Sequence, residues 1–154
     1  MSVRILIVDD HEVVRQGLRT ILSARPDWQI CGEAENGKQA VEEARRLQPD
    51  IIILDVTMPV MSGLEAIQEL RKSNLEGRVL IFSMHDSRSL VRTLQKSGAG
   101  GYVIKSRAAR DLIRAVEALL DGGTFFNDGN EGPVPQRHPG SSSLLLCSSL
   151  QFAW

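Results

Sequence analysis

Apolar positions along this chain alternate between two spacings, and the changes of spacing mark out its elements. "VRILIV" (3–8) is apolar at nearly every position, as a buried strand is, and Val14, Leu18, Ile21 and Leu22 then recur on one helical face that stops short of Pro26. "WQICGEA" (28–34) is a weaker, edge-like run; after the turn "ENG", Ala40, Val41, Ala44 and Leu47 restore the helical period until Pro49. "IIIL" (51–54) is apolar on both faces, the composition of a central parallel strand covered by helices. The loop "MPVMSG" leads to a third helix with Leu64, Ile67 and Leu70 inward, opened by Ser62 and Glu65 as a capping box. The series closes with "RVLIFS" (78–83), a short helix carrying Leu90, Val91 and Leu94 up to Gly98, "GYVIK" (101–105), and a helix carrying Leu112, Ile113, Val116, Leu119 and Leu120 up to "DGG". Five strand–helix units predict an α/β fold, a parallel sheet with helices on both faces.

From Asn127 onward this pattern stops. The last 28 residues hold three of the six prolines and five serines, and no helical period survives among them. We expect a domain over residues 1–127 and an atypical, disordered tail over 128–154, its abrupt composition fitting a frameshift or an artificial chain end. A length of 154 residues with 42% apolar content suits one domain plus such a tail. The formal charge of −1 speaks against a partner bound by bulk attraction to polyanions. No apolar run reaches membrane-spanning length, and a strand pattern begins at once, so neither a membrane segment nor a signal peptide is expected. Cys31 and Cys147 make neither a disulfide framework nor a zinc spacing, which fits a reducing cytoplasm.

Candidate chemistry collects at the strand exits. Ligands of open α/β sheets bind outside the carboxyl ends of the strands, where strand order reverses. The first strand exits at Asp9 and Asp10, the third at Asp55, the fourth at Ser83 and the fifth at Lys105. Each has an ordinary reading alone: Asp9 with Glu12 caps a helix, Ser83 is a loop hydroxyl, Lys105 a solvated strand end. Together they say more. Three crowded carboxylates repel and partly protonate unless a cation joins them, and a hard divalent ion such as Mg²⁺ answers that need. One carboxylate can then attack phosphorus while the lysine and hydroxyl bind phosphoryl oxygens.

The blocks "ILIVDDHEVVRQGL", "GEAENGKQAVE", "LDVTMPVMSGLEAI" and "GGTFF" give the sequence a clear resemblance to receiver domains of two-component response regulators, in the NarL/FixJ (LuxR-type) branch, over residues 3 to about 127. The resemblance implies a flavodoxin-like, doubly wound sheet of five strands in the order 2-1-3-4-5 with five helices. It implies that Asp55 accepts a phosphoryl group from a sensor histidine kinase. It makes Asp9, Asp10, Asp55 and the carbonyl of Thr57 the Mg²⁺ ligands, Ser83 and Tyr102 the switching pair, and Lys105 the phosphate-pairing lysine. By the same resemblance, Thr57 and His85 are expected to flank the path of the hydrolytic water. The output implied is a switched dimer or partner surface that controls transcription.

Two departures accompany the resemblance. Many receivers follow the lysine with a cis proline, whereas Ser106 stands here; a non-proline cis bond costs about 2.5–4 kcal/mol, so the sequence leaves that geometry open, with helix capping as an ordinary role for Ser106. Regulators of this branch also carry a C-terminal helix-turn-helix domain, and the residues after Asp121 show neither paired helices nor a basic recognition face, so we expect no direct DNA binding by this chain. The competing readings are a stand-alone or pseudo-receiver interaction module, and a Mg²⁺-dependent phosphohydrolase of the haloacid-dehalogenase type. The latter needs a second aspartate where Thr57 stands. Beyond self-phosphorylation and autodephosphorylation at Asp55, no enzyme activity is expected.

Overall fold

The computed structural model of the protein describes residues 2–56, 61–73, 77–85 and 87–126. Its elements run β1 (Val3–Val8), α1 (Glu12–Leu22), β2 (Trp28–Ala34), α2 (Gly37–Leu47), β3 (Ile51–Leu54), α3 (Gly63–Lys72), β4 (Arg78–Ser83), α4 (Arg88–Lys96), β5 (Gly101–Ile104), α5 (Ala108–Leu120) and β6 (Phe125–Phe126). The strands pair in parallel in the order β2-β1-β3-β4-β5-β6. The five expected strands take the expected order, and β6 extends the sheet by one short strand that the sequence pattern does not reveal.

The period-2 alternation of the strands sorts their side chains to two cores. Leu6, Val8, Ile52, Leu54, Val79, Ile81, Tyr102 and Ile104 face α2, α3 and α4. Ile5, Ile7, Ile51, Ile53, Leu80, Phe82 and Val103 face α1 and α5. All four residues of β3 are at most 1% exposed, so this strand is covered on both sides. Each such aliphatic side chain contributes about 1.5–3 kcal/mol on burial.

Local signals end the helices where the sequence says they should. Ser62 and Glu65 form the full reciprocal capping box of α3. Gln48, in the left-handed region at φ 49°, closes α2 before Pro49, and Gly98 at φ 109° follows α4. At α1 the expected cap is absent: His11 is the N-cap residue and makes no side-chain cap, while Asp9 accepts the His11 N–H instead. Ser106 does not cap α5 either. It lies in a single 3-10 turn, Lys105–Arg107, and the Lys105–Ser106 peptide bond is trans.

Candidate phosphoryl-acceptor site

Strand order reverses between β2 and β3 on either side of β1, so the crevice at the carboxyl ends of β1 and β3 is the switch point of the sheet. The hydrogen-bond ladder runs one residue past each strand to fix what stands there. The Asp9 N–H donates to the Ala34 carbonyl at 3.1 Å, and the Asp55 N–H to the Val8 carbonyl at 3.0 Å. Both aspartates are buried, at 0% and 4% exposure. A run of aliphatic residues ends on a carboxylate here because β3 delivers Asp55 to the rim of the sheet, not into its core.

Two buried carboxylates need a counter-charge. Lys105, at the exit of β5, supplies it: its Nζ lies 2.7 Å from Asp9 Oδ2 and 3.5 Å from Asp55 Oδ2. The other oxygen of Asp9 accepts the His11 N–H at 2.9 Å. Asp10 is more open, and the His11 ring Nδ1 lies 3.0 Å from its Oδ1 and 3.2 Å from Asp9 Oδ1. Ligating atoms of Asp9, Asp10 and His11 fall within 4.8 Å of one another. Asp55 joins this group through the shared ammonium of Lys105. The donors at the strand mouths are carboxylate oxygens, the set a hard divalent cation takes.

Across the crevice, Ser83 ends β4 fully buried, its Oγ accepting the His85 N–H at 3.0 Å. Tyr102 is 2% exposed, and its hydroxyl donates to the His85 carbonyl. The backbone of His85 is thus held on both sides by the two expected switch residues, while its side chain is exposed. Tyr102 already lies inside, so any switching motion begins from a buried ring rather than from one in solvent.

The floor of the site depends on a close approach. The Gly63 N–H donates to the Val56 carbonyl at 2.9 Å, and a Cβ on Gly63 would stand 2.7 Å from the Asp55 carbonyl oxygen and 2.7 Å from the Val56 Cα. Only glycine lets α3 begin this near to Asp55.

Asp9, Asp10, Asp55, Ser83, Tyr102, His85 and Lys105 are therefore gathered at one end of the sheet. Thr57, with its expected carbonyl ligand and its place beside the hydrolytic path, lies outside the described residues, as does 128–154. Two participants escape the sequence pattern. His11 carries no signal beyond following two aspartates. Arg15 shares the buried stripe of α1 with Leu18 and Leu22, an inward position that an arginine rarely takes.

A family model, the response regulator receiver domain, matches residues 5–117. The nitrate/nitrite response regulator protein NarL of Escherichia coli K12 is 42% identical over 77% of this chain and 55% of its own length. The transcriptional regulatory protein DegU of Brevibacillus brevis is 36% identical over 82% of this chain and 53% of its own. The chain thus spans about half the length of these curated relatives. A crystal structure of a LuxR-family two-component response regulator from Aurantimonas sp. SI85-9A1 superposes with a TM-score of 0.78 at 36% identity, covering 81% of this chain and 89% of that one.

Proposed function

Because this chain belongs to the response-regulator receiver family, in its NarL/LuxR branch, we propose that Asp55 accepts a phosphoryl group from the phosphohistidine of a sensor histidine kinase in the cytoplasm. The observation that carries this reading is the single ammonium of Lys105 shared by Asp9 and Asp55 at the mouths of β1 and β3. It puts the Asp55 carboxylate beside a cation suited to the phosphoryl oxygens.

In the step we propose, an Asp55 carboxylate oxygen forms a bond to phosphorus as the bond from phosphorus to the imidazole nitrogen breaks, its electron pair leaving with the imidazole. Asp9, Asp10 and Asp55 would hold Mg²⁺, with the Thr57 carbonyl on the strength of the family resemblance. The ion supplies charge neutralisation at the phosphoryl oxygens. Lys105 would leave Asp9 for the new oxygens, Ser83 would turn its hydroxyl from the His85 N–H to donate to one of them, and the Tyr102 hold on the His85 carbonyl would be remade. His85 would then shield the acyl phosphate and lengthen its life, while Thr57 is too short to position a water for its hydrolysis.

The surface this moves is α4, β5 and α5. A groove of about 230 Å³ lined by Arg88, Val91, Arg92, Gln95 and Phe126 lies there, suited to a second copy or a partner. We assign residues 1–127 to the receiver and 128–154 to a segment outside it, on the change of composition from Asn127 onward. The output we assign is transcriptional, as in the relatives named transcriptional regulatory proteins, through a DNA-binding unit distinct from the receiver. Among the described residues no helix is long and apolar enough to cross a membrane.

The test is incubation with acetyl phosphate and Mg²⁺, followed by mass spectrometry. One phosphoryl group should add to the wild type and none to Asp55→Asn, without sustained turnover. Labelling of Asp55→Asn at the wild-type level would sink the assignment.

A further inference from the structure

Arg15 is charged, yet only 7% exposed. It sits on the stripe of α1 that includes Leu18 and Leu22, where an aliphatic residue would pack without a desolvation penalty. Its guanidinium is committed to three acceptors. One Nη donates to the main-chain carbonyl of Asp9 at 2.6 Å, Nε to Glu33 on β2 at 2.9 Å, and the other Nη to Glu12 at 2.5 Å. Glu33 is itself held by Arg19. Burial works against the Arg15 charge, but the hydrogen bonds to Glu33 and Glu12 outweigh it and hold the pKa above the ordinary value.

The carbonyl that Arg15 grips belongs to the peptide joining Asp9 to Asp10. That unit is planar, so fixing its oxygen fixes the direction in which Asp10 departs from Asp9. From this geometry we infer that Arg15 is a positioning residue for the divalent-cation site, tying the Asp9–Asp10 peptide to β2 and thereby setting how the two carboxylates face each other. The inference rests on the proposed role of Asp9 and Asp10 as cation ligands.

Charge and position give opposite signs here. A cation this close to a metal site repels the metal, so if Arg15 acted only through its charge, removing it would tighten Mg²⁺ binding. If it acts by holding the peptide, removing it weakens binding.

The experiment is a direct Mg²⁺ titration of the full chain by calorimetry, for wild type, Arg15→Gln, Arg15→Lys and Glu33→Gln. Loss of a group that orients ligands should weaken Mg²⁺ about tenfold in Arg15→Gln. Arg15→Lys keeps the charge without the planar fork and should recover only part of the affinity. The Mg²⁺ concentration that gives half-maximal Asp55 labelling by acetyl phosphate should rise by the same factor as the Mg²⁺ Kd. Glu33→Gln loosens Arg15 without emptying its place and should weaken Mg²⁺ about two- to threefold, which keeps the test alive if Arg15→Gln folds poorly. Unchanged or tighter Mg²⁺ binding in these variants overturns the inference while the proposed function stands. Absence of Mg²⁺ binding by the wild type defeats both.

Discussion

α5 and α4 flank the same strand, β5, and are held very differently. α5 buries Ala108, Asp111, Leu112, Ala115, Val116 and Leu119, a stripe along its whole length. α4 buries Leu94, with Leu90 and Val91 half-covered, and turns Arg88, Arg92 and Lys96 outward. The loop entering α4 hangs from the sheet by the Ser83 and Tyr102 bonds to the backbone of His85. α5 is thus built into the core along its length, whereas α4 is held by a short apolar contact and by polar contacts of Ser83 and Tyr102 at its entry. Under the proposed function, a phosphoryl group on Asp55 would have less buried packing to work against on the α4 side than on the α5 side.

The comparison can be broken most directly through one buried leucine on each helix. Leu112→Ala should cost about 4 kcal/mol and Leu94→Ala nearer 2, since α4 can settle into the space it vacates. Urea unfolding measures both, and equal losses would mean that α4 is as firmly built in as α5. Gly63→Ala comes next. Its Cβ meets backbone beside Asp55, so we expect a loss of about 1–3 kcal/mol together with slower labelling by acetyl phosphate. Normal labelling in a stable Gly63→Ala protein would show that the floor of the site yields more easily than its contacts imply.

Tyr102→Phe removes the hydroxyl on the His85 carbonyl at a cost of about 0.5–1.5 kcal/mol. Hydrogen exchange should quicken in α4 and residues 84–87 while α5 is unchanged, and uniform acceleration of both helices would erase the distinction. Beryllofluoride, which mimics the phosphoryl group, should move NMR signals of the same segment more than those of α1. A still smaller effect is expected at His85→Ala, where loss of shielding should speed decay of the phosphorylated form; slower decay would show that His85 assists hydrolysis.

The smallest effect lies across the sheet, where burial pushes the Cys31 thiol up from its usual pKa. The folded protein keeps that proton at pH values where the unfolded chain begins to lose it. Stability should therefore fall slightly as pH rises past the ordinary thiol range, and Cys31→Ala should remove that contribution, giving a shallower fall. The comparison is best made in a Cys147→Ser background, so that Cys31 is the sole thiol being titrated.

How much of this was legible beforehand depends on the range of the interaction. Strand alternation, the apolar helix stripes and the Ser62–Glu65 box are local, and the structure follows them. Asp9, Asp10, Asp55, Ser83 and Lys105 were legible as a set because parallel strands present their exits at the same end. That Lys105 bridges two aspartates was not, since its partner Asp9 is 96 positions away. β6 has two residues, too few to show a period. Arg15 was hidden by the assumption that stripe positions are apolar, and the Glu12 assigned to a helix cap serves Arg15 instead.

The margins of the sheet also bear on how copies of this domain can meet. Along β2 the register with β1 jumps from Ile5 opposite Ile30 to Leu6 opposite Gly32, leaving Cys31 as the extra residue of a bulge. The strand also carries Gln29 and Glu33. A bent, charged margin is a poor template for adding another strand. Such a margin favours contacts between helices over open-ended strand stacking wherever copies of this domain meet.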